Sequence, residues 1–272
     1  DITFQCNYRC PYCFNTGNWE QIEMEKKYRP GYEWLRFWDS LYGRYGSLKI
    51  IISGGEPFFY PDFIGIARSL SMQHSLEICT NLSVDVGRIV DEFRPKRISL
   101  HPSYHPYHTD PDVFLSKLDR LKAAGWDFNP SVVAYPPLLK SLREIQLKFR
   151  EHGFELYIIP FIGQWHGNVY PAAYTREERN FIFSISGDRI QFQVLNINPS
   201  GLLCSTGHVY IKVYADGQIV RCASSNTVLG SIDDGGVALY DGPLPCTAKF
   251  CICNNEAAYA ILPRNTSFVK QG

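Results

Sequence analysis

No run of eighteen apolar residues occurs in the 272-residue sequence, so it reads as having no transmembrane helix. No basic stretch followed by an apolar one precedes the first motif, which argues against a secretory signal. Charge excess is missing too. The 27 basic side chains balance 27 acidic ones, whereas general nucleic-acid binders usually carry a basic surplus. Repeats, low-complexity tracts and long charge runs are absent. Nine cysteines, an odd number in separated groups, speak against a disulfide scaffold and for metal binding in a reducing cytoplasm. The length suits one large core, or one core plus a small second module. The start at Asp1, beside the first expected strand, leaves room for a natural N-terminal extension.

Against these absences stand two motifs. Cys6, Cys10 and Cys13 are spaced C-x3-C-x2-C directly after the alternating Ile2-Thr3-Phe4. Thiolates are soft ligands that suit iron–sulfur clusters or zinc. A four-iron cluster usually takes four cysteines, so three in one loop leave one iron open. Half of a zinc knuckle would need a second ligand pair nearby, but residues 14–78 hold no Cys and only one His. The second motif closes the apolar run Lys49-Ile50-Ile51-Ile52 with Ser53-Gly54-Gly55-Glu56-Pro57. Glycines at a strand end let backbone approach a ligand closely.

Together, the cysteine triad with Tyr12 before its last member and the Gly-Gly-Glu-Pro stretch resemble the signature of the radical S-adenosylmethionine (radical SAM) superfamily. The resemblance implies that Cys6, Cys10 and Cys13 hold a [4Fe–4S] cluster whose open iron is chelated by the amino and carboxylate groups of SAM. It also implies that Gly54, Gly55, Glu56 and Pro57 receive the SAM amino group.

The rest of the core alternates strand and helix. Expected strands are Ile2–Gln5, Ile50–Ser53, Ser75–Cys79, Arg97–His101, Pro130–Tyr135 and Glu155–Ile162. Expected helices are Gly31–Tyr45, Pro61–Met72, Val84–Phe93, Pro111–Ala124 and Leu138–His152. This is the pattern of parallel β/α architecture. A full eight-fold barrel takes about 250 residues, so six units predict an α/β fold, a partial (β/α)6 TIM barrel, over residues 1–162. The family resemblance implies the same shape. Chemistry in such barrels sits at the C-terminal strand ends. By position alone, the strand-end residues Thr80, Asn81, His101, Ala134, Tyr135, Phe161 and Ile162 resemble the family's cofactor contacts there, alongside Tyr12.

His101, His105 and His108 are interleaved with Pro102 and Pro106, which predicts an extended loop. It reads as substrate-facing, as a solvated surface loop or as a metal site. Cys79, inside an apolar strand, reads as a buried inert thiol.

Residues 163–199 read as a bridging segment, with a capping-box pattern at Thr175–Glu178 opening a helix to Phe183. Residues 200–272 carry the second cysteine group: Cys204, Cys222, Cys246, Cys251 and Cys253. His208–Val213 and Ile219–Arg221 flank Asp216-Gly217 as a hairpin. The C-x12-G-x4-C hairpin with later cysteines resembles the auxiliary-cluster modules called SPASM and twitch domains. The full SPASM pattern needs seven cysteines, so the shorter twitch module, with one auxiliary [4Fe–4S] cluster on four thiols, fits better. A four-thiol zinc site is the alternative. Either Cys251 or Cys253 is the fourth ligand, and the spare is a candidate hydrogen-atom donor or unligated.

The resemblance therefore implies a radical SAM oxidoreductase. A one-electron donor such as flavodoxin or ferredoxin reduces the first cluster, and SAM is cleaved to a 5′-deoxyadenosyl radical. That radical abstracts a substrate hydrogen, and the auxiliary cluster takes up the substrate electron. The compact chain points to a small polyol or sugar-like metabolite. The alternatives are a peptide maturase that cross-links or epimerises a ribosomal natural product, and a redox-neutral epimerase using the spare cysteine. A non-catalytic zinc module is the third class. Neither nucleic acid nor membrane is an expected partner.

Overall fold

The computed structural model describes residues 1–14, 20–22, 28–186, 195–252 and 260–261. Strand and helix alternate from the start: α1 (Gly31–Tyr45), β1 (Lys49–Ile52), α2 (Phe63–Ser71), β2 (Ser75–Thr80), α3 (Val86–Glu92) and β3 (Ile98–Pro102). Then follow α4 (Pro111–Ala123), β4 (Ser131–Ala134), α5 (Leu142–Glu151) and β5 (Tyr157–Pro160). β1, β2 and β3 form one parallel sheet and β4 and β5 a parallel pair. Parallel bridges extend the row at both joints, Thr3 to Gly54 and Ser103 to Ser131. The result is a mixed α/β, partial-barrel fold with every strand's C-terminal end on the same rim.

Helical spacing explains the core. α4 buries Phe114, Leu115, Leu118 and Leu121, and α2 buries Phe63, Ile66, Ala67 and Leu70, each set one stripe of an amphipathic helix. Burying each large side chain stabilises the fold by about 1.5–3 kcal/mol. Asp85 and Asp110 cap α3 and α4 by accepting backbone N–H bonds from Gly87 (3.0 Å) and Asp112 (2.8 Å).

Two expectations fail here. Ile2–Gln5 is not a strand but a single bridge. It runs alongside residues 53–56, with Ile2 N–H donating to Ser53 C=O (3.0 Å), but Gln5 N–H turns back to Thr3 Oγ1 (3.0 Å) instead of extending a ladder. Cys79 is half-buried rather than sealed in: it faces inward on β2 and lines a cavity of about 500 Å³ around β1. Apolar neighbours in sequence do not bury a residue when its face of the sheet is open.

After β5, β6 (Gly163–Trp165) and β7 (Asn168–Tyr170) make a hairpin, and α6 (Arg176–Ser186) follows. Ser186 clamps α6 to β5, its hydroxyl donating to Ile158 C=O (2.5 Å) and accepting from Ile158 N–H (3.0 Å). The bridging segment therefore also supplies a sixth helix against the barrel. The C-terminal part is antiparallel. β9 (Lys212–Val213), β10 (Gln218–Cys222), β11 (Ser225–Ser231) and β12 (Gly236–Val237) form one sheet. β8 (Leu203–Cys204), β13 (Leu244–Pro245) and β14 (Ala260–Ile261) form another. The expected hairpin exists around Gly217 (φ +91°), but its first strand is two residues long because Ser205–Tyr210 folds into turns. Among the described residues, no helix is long and apolar enough to cross a membrane.

Candidate functional site

The cysteine loop lies on the rim. Cys13 N–H donates to Cys10 C=O (3.1 Å), closing a turn that draws the triad together. Burial pushes the Cys6 thiol up, and it pushes the Cys10 thiol up to about 12. Neighbouring charges add to that rise, Glu56 and Cys13 for Cys6, and Cys13 and Cys6 for Cys10, so a compensating cation would favour the charged triad. An iron–sulfur cluster supplies one, and the three sulfurs present a suitable soft donor set.

The Gly-Gly-Glu-Pro stretch is locked to this loop. Gly55 N–H donates to Thr3 C=O (2.7 Å) and Glu56 N–H to Gln5 C=O (2.9 Å). A Cβ on Gly54 would stand 2.1 Å from Thr3 O, and one on Gly55 2.1 Å from Gln5 O. The glycines thus admit the backbone that carries the cysteines, a close approach within the chain that spacing alone could not distinguish from ligand approach. Pro57 is buried and opens a single 3₁₀ turn.

Glu56 is 2% exposed. Its carboxylate accepts from Thr80 Oγ1 (2.9 Å), Asn81 N–H (2.7 Å) and Phe58 N–H (3.2 Å). Burial nonetheless raises its pKa to about 7. Asn81, held by this bond at the end of β2, donates through Nδ2 to Asn7 Oδ1 (3.1 Å) in the cysteine loop. Loop, glycine turn and β2 end are therefore one constellation.

Tyr12 is buried on the far side of the loop. Its hydroxyl is 3.1 Å from His105 Nδ1, which also lies 3.4 Å from Cys10 Sγ. His108 stacks on Tyr8 (centroids 4.4 Å apart). The histidine loop thus packs onto the cysteine loop. Burial, with His108 adding, lowers the His105 pKa to about 4, leaving the ring neutral. Among the described residues no cluster of histidines, cysteines or carboxylates is disposed to hold a single metal ion, so the histidine trio is not one.

Of the other expected contacts, His101 sits half-buried at the end of β3, opposite Cys79. Ala134 is fully buried and its carbonyl accepts from Tyr174. Ile162 follows β5, half-buried. Two of the strand-end residues, Tyr135 and Phe161, join Tyr12, Tyr107 and Trp165 in an aromatic wall. Tyr135 lies 5.4 Å from Tyr12, 6.2 Å from Tyr107, 5.1 Å from Phe161 and 6.5 Å from Trp165, centroid to centroid. Its sequence signal was an aromatic beside the end of β4, at β5's end and in the hairpin beyond.

In the C-terminal part, Cys204 on β8, Cys222 ending β10, Cys246 just after β13, and Cys251 line one cavity. Four thiols from four separate segments could hold a cofactor. Cys253 lies outside the described residues.

The Radical SAM superfamily model matches residues 1–158, more than half the chain, and the chain belongs to that superfamily. Its cofactors are accordingly a [4Fe–4S] cluster and SAM. Over 70 residues it is 37% identical to GTP 3′,8-cyclases of Haemophilus influenzae strains PittEE and PittGG, a match covering 26% of this chain and 20% of theirs. The chain thus matches about one fifth of these curated relatives. Among solved structures it is similar to Streptococcus suis SuiB bound to S-adenosylmethionine (TM-score 0.60, 15% identity, 85% of this chain and 62% of that one). SuiB bound to precursor peptide SuiA gives TM-score 0.58 at 16% identity, covering 81% and 58%. Native anSMEcpe with bound AdoMet and Kp18Cys peptide gives 0.59 at 17%, covering 86% and 76%. These likenesses show the fold.

Proposed function

We propose that the chain is a peptide-modifying radical SAM enzyme with two clusters. In this reading Cys6, Cys10 and Cys13 hold the first cluster, and the rim formed by Gly54–Pro57, Asn81 and Tyr12 seats SAM. When bound, the cluster would supply one-electron reduction of the SAM sulfonium and so the radical chemistry used on the substrate. The carrying observation is the joining of both motifs into one site, through Gly55 N–H to Thr3 C=O and Asn81 Nδ2 to Asn7 Oδ1.

Cys204, Cys222, Cys246 and Cys251 would hold a second cluster, which would supply an acceptor for the substrate's electron. A single zinc ion on the same four thiols is the alternative occupant. Cys251, which lines the cavity, becomes the fourth ligand and Cys253 the spare. Reduction of the first cluster falls to a small donor such as flavodoxin or ferredoxin.

A peptide is favoured over a polyol because two similar structures hold peptides. The aromatic wall also offers ring faces suited to an apolar side chain. The dehydrogenation of a small polyol has no comparable support. Reconstituted protein with SAM and dithionite should transfer deuterium into 5′-deoxyadenosine from a labelled peptide and not from labelled polyols. Transfer from a polyol alone would refute the peptide reading.

A further inference from the structure

Arg221 is the last residue before Cys222, and only 4% of it is exposed. Every donor of its guanidinium ends on a segment bearing or adjoining another thiol. Nε donates to Thr206 C=O (3.1 Å) and Thr206 Oγ1 (3.2 Å), Nη1 to Pro245 C=O (3.0 Å), and Nη2 to Leu244 C=O (2.8 Å) and Cys204 C=O (3.4 Å). Thr206 Oγ1 is in turn 3.3 Å from Cys204 Sγ, and Cys246 follows Pro245 directly. One side chain therefore ties together β8, β10 and β13 and lines the same cavity as the four thiols.

The guanidinium cannot shed its proton, and burying a charge without a counter-charge is costly. Among the described residues no carboxylate pairs with Arg221. Its acceptors are the four carbonyls and one hydroxyl named above, and Tyr240 lies beneath it, 5.6 Å from centroid to guanidinium carbon. Carbonyl dipoles offset only part of that cost. Four thiolates around a metal group would carry the missing negative charge.

We propose that Arg221 is the fixed counter-charge and positioning residue of the second cysteine site, raising the reduction potential of the cluster bound there. The inference rests on the reading that Cys204, Cys222, Cys246 and Cys251 hold a [4Fe–4S] cluster. Reduction adds one negative charge, and a buried cation lining the same cavity favours that state far more than the same charge in water would. The site is thereby tuned to accept an electron from a substrate radical. An arginine that merely packed the strands would govern iron retention without moving the potential.

The test is an anaerobic redox titration followed by electron paramagnetic resonance, with iron counting, on the reconstituted full chain and its Arg221→Lys and Arg221→Gln variants. Wild type should hold about eight irons, four per cluster. Arg221→Gln should keep them while the auxiliary signal's midpoint moves to lower potential and the first cluster's midpoint stays put. Arg221→Lys should stay near wild type. If Arg221→Gln sheds the auxiliary irons, retention in Arg221→Lys still supports a charge role. An unmoved midpoint in Arg221→Gln, or loss of iron from both variants alike, overturns the proposal. Wild type with only four irons would instead overturn the cluster reading beneath it.

Discussion

Glu56 shows how much one side chain at this rim does. It accepts three hydrogen bonds, yet burial leaves its pKa near 7, above the ordinary carboxylate value of 4.5. Between those values folded Glu56 binds more proton than unfolded Glu56, so its contribution to stability is fully present below about pH 4.5 and is lost as pH rises through about 7. The full effect is about 3 kcal/mol. Urea unfolding of the cluster-free protein should show this decline in wild type and not in Glu56→Gln. The stability gap between the two should shrink from pH 5 to pH 8. A gap independent of pH would show that Glu56 does not hold its proton in the fold. Gly54 and Gly55 teach a related lesson: their identity was legible, but their reason, the backbone of Thr3 and Gln5 within 2.1 Å of any added Cβ, is a tertiary contact.

Among the elements, β4 and β5 depend on a residue from neither. Tyr174, 1% exposed, donates to Ala134 C=O and accepts from Phe161 N–H (2.8 Å). Tyr174→Phe would leave two buried backbone groups unpaired, at about 1–3 kcal/mol each. The urea midpoint should fall with an unchanged slope, and an unchanged midpoint would mean that the bridge carries no stability. Local signals located the helices well. α4 stops at Gly125 (φ +85°) and α5 before Gly153 (φ +75°), where left-handed backbone favours glycine. The capping box forms reciprocally, with Glu178 N–H to Thr175 Oγ1 (3.2 Å) and Thr175 N–H to Glu178 Oε2 (2.8 Å). α5 begins later than expected because Pro136–Leu138 forms a separate 3₁₀ turn. The first strand misled for a different reason: Ile2–Gln5 has a partner in residues 53–56, but the turn of Gln5 N–H onto Thr3 Oγ1 cuts the pairing to one bridge, which alternation cannot foretell.

Across the whole molecule, the two cysteine groups belong to one docked body. Arg29, just before α1, reaches Asp233 (2.6 Å) and the carbonyl of Asp216 (2.5 Å) in the C-terminal sheet, while Lys212 pairs with Asp1 (2.7 Å). The first cysteine group was legible as a candidate site because its three thiols fall within eight residues. The second was legible only as a list of thiols, since its members come from four segments that the fold alone brings to one cavity. In the proposed reading the two groups are chemically separate sites, and that separation is the central claim. The most direct test is anaerobic reconstitution of wild type and Cys10→Ala, followed by iron counting and incubation with dithionite and SAM. Wild type should hold about eight irons and form 5′-deoxyadenosine. Cys10→Ala should hold about four and form none. Continued SAM cleavage by Cys10→Ala, or loss of all its iron, would contradict the account.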